Sequence, residues 1–167
     1  MNPNANNESL RHESLLAYVE EWGLLFERWG LPRTAGRIWG WLHVCEPPQQ
    51  TAGQLVEALG VSKGSVSTNT RLLESLGLVE RVGVRAARQA HYRVRSDAFE
   101  GIMRQRIVGV AEARALAERG LSVLESAPEE RKQRLTVKRD FYAFLEREME
   151  ELLRHWRGRR EEGTLVD

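Results

Sequence analysis

Between residues 51 and 77 the helix-boundary signals fall so close together that they leave the chain a single local arrangement. Thr51, with Gln54 three residues on, has the form of a capping box, and the helix it opens runs from Ala52 to Leu59 and stops at Gly60. Ser62 caps a second helix, which runs to about Leu76 and ends at Gly77. Two helices joined by a turn of about three residues around Gly60 and Val61 make a helix-turn-helix. Residues 78–82 are then strand-like, 83–89 read as a turn, and 90–94 alternate like a returning strand, so a β-hairpin follows directly. Helix-turn-helix plus hairpin is a winged helix.

The second of those helices is too polar for a purely structural role. Val66, Leu73 and Leu76 recur at helical spacing and face inward, with Val61 in the turn. The other face holds Lys63, Gly64, Ser65, Ser67, Thr68 and Arg71. Replacing its Ser and Thr by Ala would gain about 0.3–0.5 kcal/mol per residue in helix propensity, so stability does not explain them. Contact with double-stranded DNA does. Short hydroxyls reach the floor of the major groove, Gly64 allows close backbone approach, and Lys63 at the exposed helix N-terminus favours phosphate. Arg71 is the longest donor and reaches either a guanine edge or a phosphate, whereas Ser62 is best read first as a cap. In the wing, Arg85 and Arg88 flank a small Ala86-Ala87 tip suited to the narrow minor groove.

Charge supports the same surface by its distribution rather than its sum, since the whole chain is only +1. Residues 60–95 contain Lys63, Arg71, Arg81, Arg85, Arg88, Arg93 and Arg95 against Glu74 and Glu80 alone, a localised basic patch of the kind nucleic-acid binding requires. A protein-interaction module within a larger assembly is the alternative. Such a face would show aromatic or leucine anchors, and this one is polar and basic.

The flanks read as long helices. Leu15, Val19, Trp22 and Phe26 draw one stripe, and a new helix starts at Pro32 and continues to Pro47-Pro48. Gly36 and Gly40 lie on one face of it, where a second backbone can come close. Asp97 can cap a long helix with Phe99, Ile102, Met103, Ile107 and Val110 on one face, fading near Gly120. After Pro128 a last helix carries Phe141, Leu145, Met149, Leu152 and Trp156, a near-heptad stripe that a lone helix cannot bury and that calls for the first helix and a second subunit. The expected organisation is a disordered tail over 1–7, an N-terminal dimerisation helix over 8–30, a winged helix-turn-helix over 31–96, C-terminal dimerisation helices over 97–158 and a frayed tail over 159–167. The fold class is mainly α with a small β-hairpin wing.

Other functions find little support. No phosphate loop, nucleophile elbow or closely spaced carboxylate pair suggests an enzyme. His12, His43, His91 and His155 are scattered without metal-ligand spacing, so neither metal nor cofactor is expected. The N-terminus lacks a secretory pattern, no segment reaches the roughly 18 apolar residues of a membrane span, and the one cysteine, Cys45, forms no intrachain disulfide, so a reducing cytoplasm is the expected compartment. Cys45, near the end of an apolar helix, reads as a small buried hydrophobe rather than a redox sensor.

At this point the chain resembles the MarR-type winged-helix regulators, and within them the branch named after the glycine betaine synthesis regulator, GbsR. The residues that carry the likeness are Pro32-Arg33-Thr34-Ala35-Gly36-Arg37-Ile38-Trp39-Gly40-Trp41-Leu42, Leu55, Leu59, Ser62-Lys63-Gly64-Ser65-Val66-Ser67, Arg71-Leu72-Leu73, Gly77-Leu78-Val79 and His91-Tyr92-Arg93. The likeness spans residues 15–94, and the later helices agree with the family only in layout. It implies a homodimer built by the N- and C-terminal helices, two winged lobes reading a pseudo-palindromic operator, and repression altered by a small effector. The tip Val84-Arg85-Ala86-Ala87-Arg88 departs from the family in lacking a Pro-Gly-type turn. In the GbsR branch choline is an effector, and aromatic cages hold quaternary ammonium by cation–π attraction, which makes Trp22, Trp29, Trp39 and Trp41 effector candidates. Packing accounts for the same aromatics equally well.

Overall fold

A computed structural model of the chain describes residues 3–83 and 89–163, without the side chains of residues 3–9 and 11. It divides into two compact units, Met1–Ala98 and Phe99–Asp167. The wing tip with Arg85 and Arg88 lies outside the described residues.

The first unit opens with α1 (Pro3–Arg28) and α2 (Arg33–Val44). The helix starts at Pro3 rather than Glu8, within the tail expected over 1–7; proline suits a first helical turn, where its missing N–H is not needed. On α1, Val19 and Phe26 are buried and Leu15 and Trp22 half-buried, as the stripe predicts. The glycines of α2 let the helices meet at backbone distance. A Cβ on Gly36 would strike the Trp22 carbonyl oxygen and sit 2.8 Å from Phe26 Cβ, and one on Gly40 would sit 2.8 Å from Trp22 Cδ1. Pro32 lies just outside α2, with φ −61 and ψ 133, and its carbonyl accepts from Ala35 N at 2.9 Å.

The helix-turn-helix follows as α3 (Ala52–Leu59) and α4 (Lys63–Ser75), and the hairpin as β2 (Val79–Gly83) and β3 (Ala90–Val94). Both capping-box bonds form: Gln54 N donates to Thr51 Oγ1 at 3.2 Å and Thr51 N to Gln54 Oε1 at 2.8 Å. The hairpin register runs from Val79 opposite Val94 to Gly83 opposite Ala90. A third strand, β1 (Gln50–Thr51), pairs antiparallel with β3, giving the order β1-β3-β2. A strand that short shows no alternation, so sequence pattern misses it. Ile38, Trp39, Leu42, Leu55, Leu59, Val66, Leu73, Leu78 and Val79 form the core that fixes the two short helices on α2 and the sheet.

The second unit is an antiparallel pair, α5 (Ala98–Val123) and α6 (Glu129–Glu161). Gly120 lies against Leu135, Arg114 Nε donates to Glu146 at 2.8 Å, and Arg157 Nε to Glu100 at 2.9 Å, so positions rising along α5 meet positions falling along α6. The α6 stripe is left largely uncovered within the single chain. Leu153 is its buried residue, while Phe141, Leu152 and Trp156 are exposed at 56%, 56% and 38%. α6 continues to Glu161, past the residue 159 at which fraying is expected to begin, with Arg159 and Arg160 in its last turn, where positive charge complements the helix dipole. Among the described residues, no helix is long and apolar enough to cross a membrane.

Candidate nucleic-acid interface

The turn that aims α4 is built from three local choices. Gly60 adopts φ 63, a left-handed conformation that other residues enter at a cost, and its N–H caps α3 through the Val56 carbonyl at 3.0 Å. Ser62 is extended, and its Oγ accepts from Ser65 N at 3.1 Å, which starts α4 one residue later. The inner face of α4 then locks down. Val66 and Leu73 are buried, and so are two residues that the apolar pattern could not mark, Asn69 and Thr70. Thr70 Oγ1 donates to the Val66 carbonyl at 2.9 Å and Asn69 Nδ2 to the Ser65 carbonyl at 2.8 Å, both within their own helix, while Asn69 Oδ1 is buried without a hydrogen-bond partner among the described residues. Leu76 is only half-buried.

On the opposite side Gly64, Thr68, Arg71 and Ser75 are exposed at steps of four, three and four, a single outward ridge, with Lys63 exposed and Ser67 half-buried beside it. Arg71 Nη2 donates to Ser67 Oγ at 2.9 Å, so the arginine is steadied from within its own helix. Ser65 is half-buried at the edge of the ridge, against Asn69. Gly64 is not demanded by packing. A Cβ there would find only Ser62 Oγ, at 4.0 Å, and its φ is not in the glycine region.

The basic patch is smaller than composition suggests. Arg93 Nε reaches Glu80 at 2.6 Å across the hairpin, and Arg95 holds both oxygens of Asp97, each at 2.8 Å. Among the described residues Lys63, Arg71 and Arg81 have no carboxylate partner within salt-bridge distance and keep their charge directed to solvent.

Trp39, Trp22 and Trp29 are linked by ring contacts through His43 and Phe26, and Trp41 packs elsewhere. Trp39 is buried in the core and meets His43 edge-on at 4.3 Å between ring centres, and the same His43 stacks on Trp22 at 6.1 Å. Trp29 tilts over Phe26 and is 60% exposed, and Trp41 packs edge-on against His12. Cys45 is buried, and burial pushes its thiol pKa up to about 11, which leaves on the order of one thiolate in 10⁴ at neutral pH. Among the described residues no group of three His, Cys, Asp or Glu is placed to hold a metal ion.

Comparison with known proteins covers both units. Residues 29–90 match the model of the MarR family, and residues 97–160 match that of MmpR5-like MarR family transcriptional regulators. Over 132 residues the chain is 42% identical to the HTH-type transcriptional regulator MmpR5 of Mycobacterium tuberculosis, a span of 79% of this chain and 80% of that protein. It also resembles the crystal structure of a transcriptional regulator with 39% sequence identity, at a TM-score of 0.75 over 87% of this chain and 99% of that one.

Proposed function

The chain belongs to the MarR family of winged-helix, DNA-binding transcriptional regulators, and from that premise we propose that it acts as a homodimeric repressor on a pseudo-palindromic operator, with α4 as the recognition helix. The observation that carries this assignment is the outward ridge of α4. It is polar, lacks ion pairs within the described residues, and stands on a rigidly packed inner face, while Gly64 leaves open a space that the protein does not use. A helix with these properties enters a major groove with its N-terminal half foremost.

In this reading Arg71 is the main reader of base edges, Thr68 and Ser67 approach the groove floor, and Ser65 contacts from the edge. Lys63 and the helix N-terminus hold a phosphate, Gly64 lets the backbone approach, and Ser62 serves as the cap that presents them. Arg85 and Arg88 of the wing reach the adjacent minor groove. The face shows no aromatic or leucine anchor, which disfavours a protein-interaction module. Its place of work is the cytoplasm, with the DNA it reads.

Two finer assignments receive less support. The GbsR-like branch rests on residues 15–94, whereas residues 97–160 match the MmpR5-like model, so we place the chain with the latter. A quaternary ammonium cage would need Trp22, Trp29, Trp39 and Trp41 to converge, yet Trp39 is core and His43 covers Trp22. We assign those rings to packing.

The test is selection of duplexes from a random pool, followed by titration. Arg71→Ala is expected to relax preference at defined base positions at a cost of about 1–3 kcal/mol, and Arg88→Ala to weaken all sequences alike and lower the salt slope by about one. Selection of no common sequence would sink the regulator assignment.

A further inference from the structure

Arg37 reaches from α2 to two other elements of the first unit. Its Nη2 donates to the carbonyl of Leu59, the last residue of α3, at 2.8 Å, and its Nε lies 3.2 Å from Glu20 Oε2 on α1, an ion pair without hydrogen-bond geometry. Arg33, one turn earlier, takes Glu20 Oε1 at 2.5 Å, so the carboxylate is held from both sides. The Leu59 carbonyl is one of those at a helix end that no helical N–H can satisfy. Gly60, immediately after it, swings the chain towards Ser62 and the start of α4. The guanidinium therefore grips the backbone at the point where α3 ends and the turn that aims the recognition helix begins. Its stem is confined as well: a Cβ on Gly23 would sit 2.9 Å from Arg37 Cγ, and the side chain is 25% exposed.

We propose that Arg37 is a positioning residue for DNA recognition, tying Glu20 of α1 to the α3–α4 turn so that the seat of α1 sets the angle at which α4 meets the groove. This rests on the DNA-reading role assigned to α4. A planar guanidinium can serve a carboxylate and a carbonyl at once; a lysine ammonium at the same place is a compact point charge that keeps the ion pair and gives up the carbonyl. Movement of α1 against α2 is then felt at Gly60 through one side chain.

The experiment titrates wild type, Arg37→Lys, Arg37→Gln and Glu20→Gln with the duplex the wild type selects and with a scrambled duplex of equal length. A salt series and thermal melting of each protein accompany the titrations. Both Arg37 variants are expected to lose about tenfold in affinity for the selected duplex, and Glu20→Gln about threefold. Affinity for scrambled DNA and the salt slope should stay unchanged, because no phosphate contact is removed. If Arg37→Gln fails to fold, Arg37→Lys retains the pairing with Glu20 and carries the comparison. Parallel loss on both duplexes would reduce Arg37 to a merely structural role and overturn the proposal, as would undiminished affinity for the selected duplex. A wild type that prefers no sequence contradicts the DNA-reading role instead, and removes the proposal with it.

Discussion

At the scale of single residues, the glycines divide by what surrounds them, and the division makes a prediction. Gly36 and Gly40 are glycines because Trp22 occupies the space a side chain would need. Gly64 has no such neighbour, so Gly64→Ala should raise thermal stability slightly, by up to about 1 kcal/mol from helix propensity, while weakening operator binding several-fold. Melting curves and anisotropy titrations of the same preparation check both signs, and a variant that binds as well as wild type would place Gly64 away from DNA. Cys45 gives a second prediction at this scale. With its thiol pKa at about 11 inside the core, it should resist iodoacetamide at pH 7 until the protein is unfolded, and then react fully. Residue identity alone marked the cap, Ser62, and the glycine turn, Gly60, because each has a local chemical signature. It could not mark Asn69 and Thr70 as inner-face residues. Thr70 Oγ1 and Asn69 Nδ2 donate within the helix, which lets these side chains occupy positions an apolar pattern would assign to Val or Leu, with Asn69 Oδ1 left unpartnered among the described residues.

Among the elements, those with boundary chemistry were legible and those that depend on distant partners were not. The capping box, the hairpin and the close approach of α2 to α1 follow from spacing. Strand β1 is two residues long and exists only because β3 offers it an edge. On α6 the apolar residues occupy two faces: Leu153 packs within the chain, and the stripe through Phe141, Leu152 and Trp156 is exposed. The burial of Leu73 predicts that Leu73→Ala, which empties the inner face of α4, costs about 2–5 kcal/mol and lowers the urea midpoint with the slope unchanged. Urea denaturation of the variant checks it. In the α5–α6 pair, Glu100 is held below the usual carboxylate range, first by the hydrogen bond from Arg157 and then by the charges of Arg157, Arg104 and Arg160, with burial opposing. A carboxyl whose folded pKa is lowered contributes stability above its unfolded value, about 4.3, and loses it as pH falls through the folded value. Acid titration of the full chain should therefore show a loss below pH about 4 that Glu100→Gln flattens, with the variant less stable at pH 7.

For the whole molecule, the helix-turn-helix carries a basic patch that internal pairing trims, among the described residues of 60–95, to Lys63, Arg71 and Arg81. The trimming matters. Composition counts Arg93 and Arg95 towards DNA, but Glu80 and Asp97 engage them, so fewer phosphates should be neutralised than the sequence charge suggests. The exposed Phe141, Phe144, Leu152 and Trp156 on α6 fit the second copy that the proposed pseudo-palindromic operator would require. The most direct measurement is the affinity of the full-length protein for its selected duplex and for a scrambled one across a salt series. A preference of about 10³-fold or more for the selected duplex is expected at physiological salt, with affinity for both falling as salt rises. Equal affinity for the two duplexes at every salt concentration would contradict it, leaving the basic ridge as a charged surface without a sequence to read.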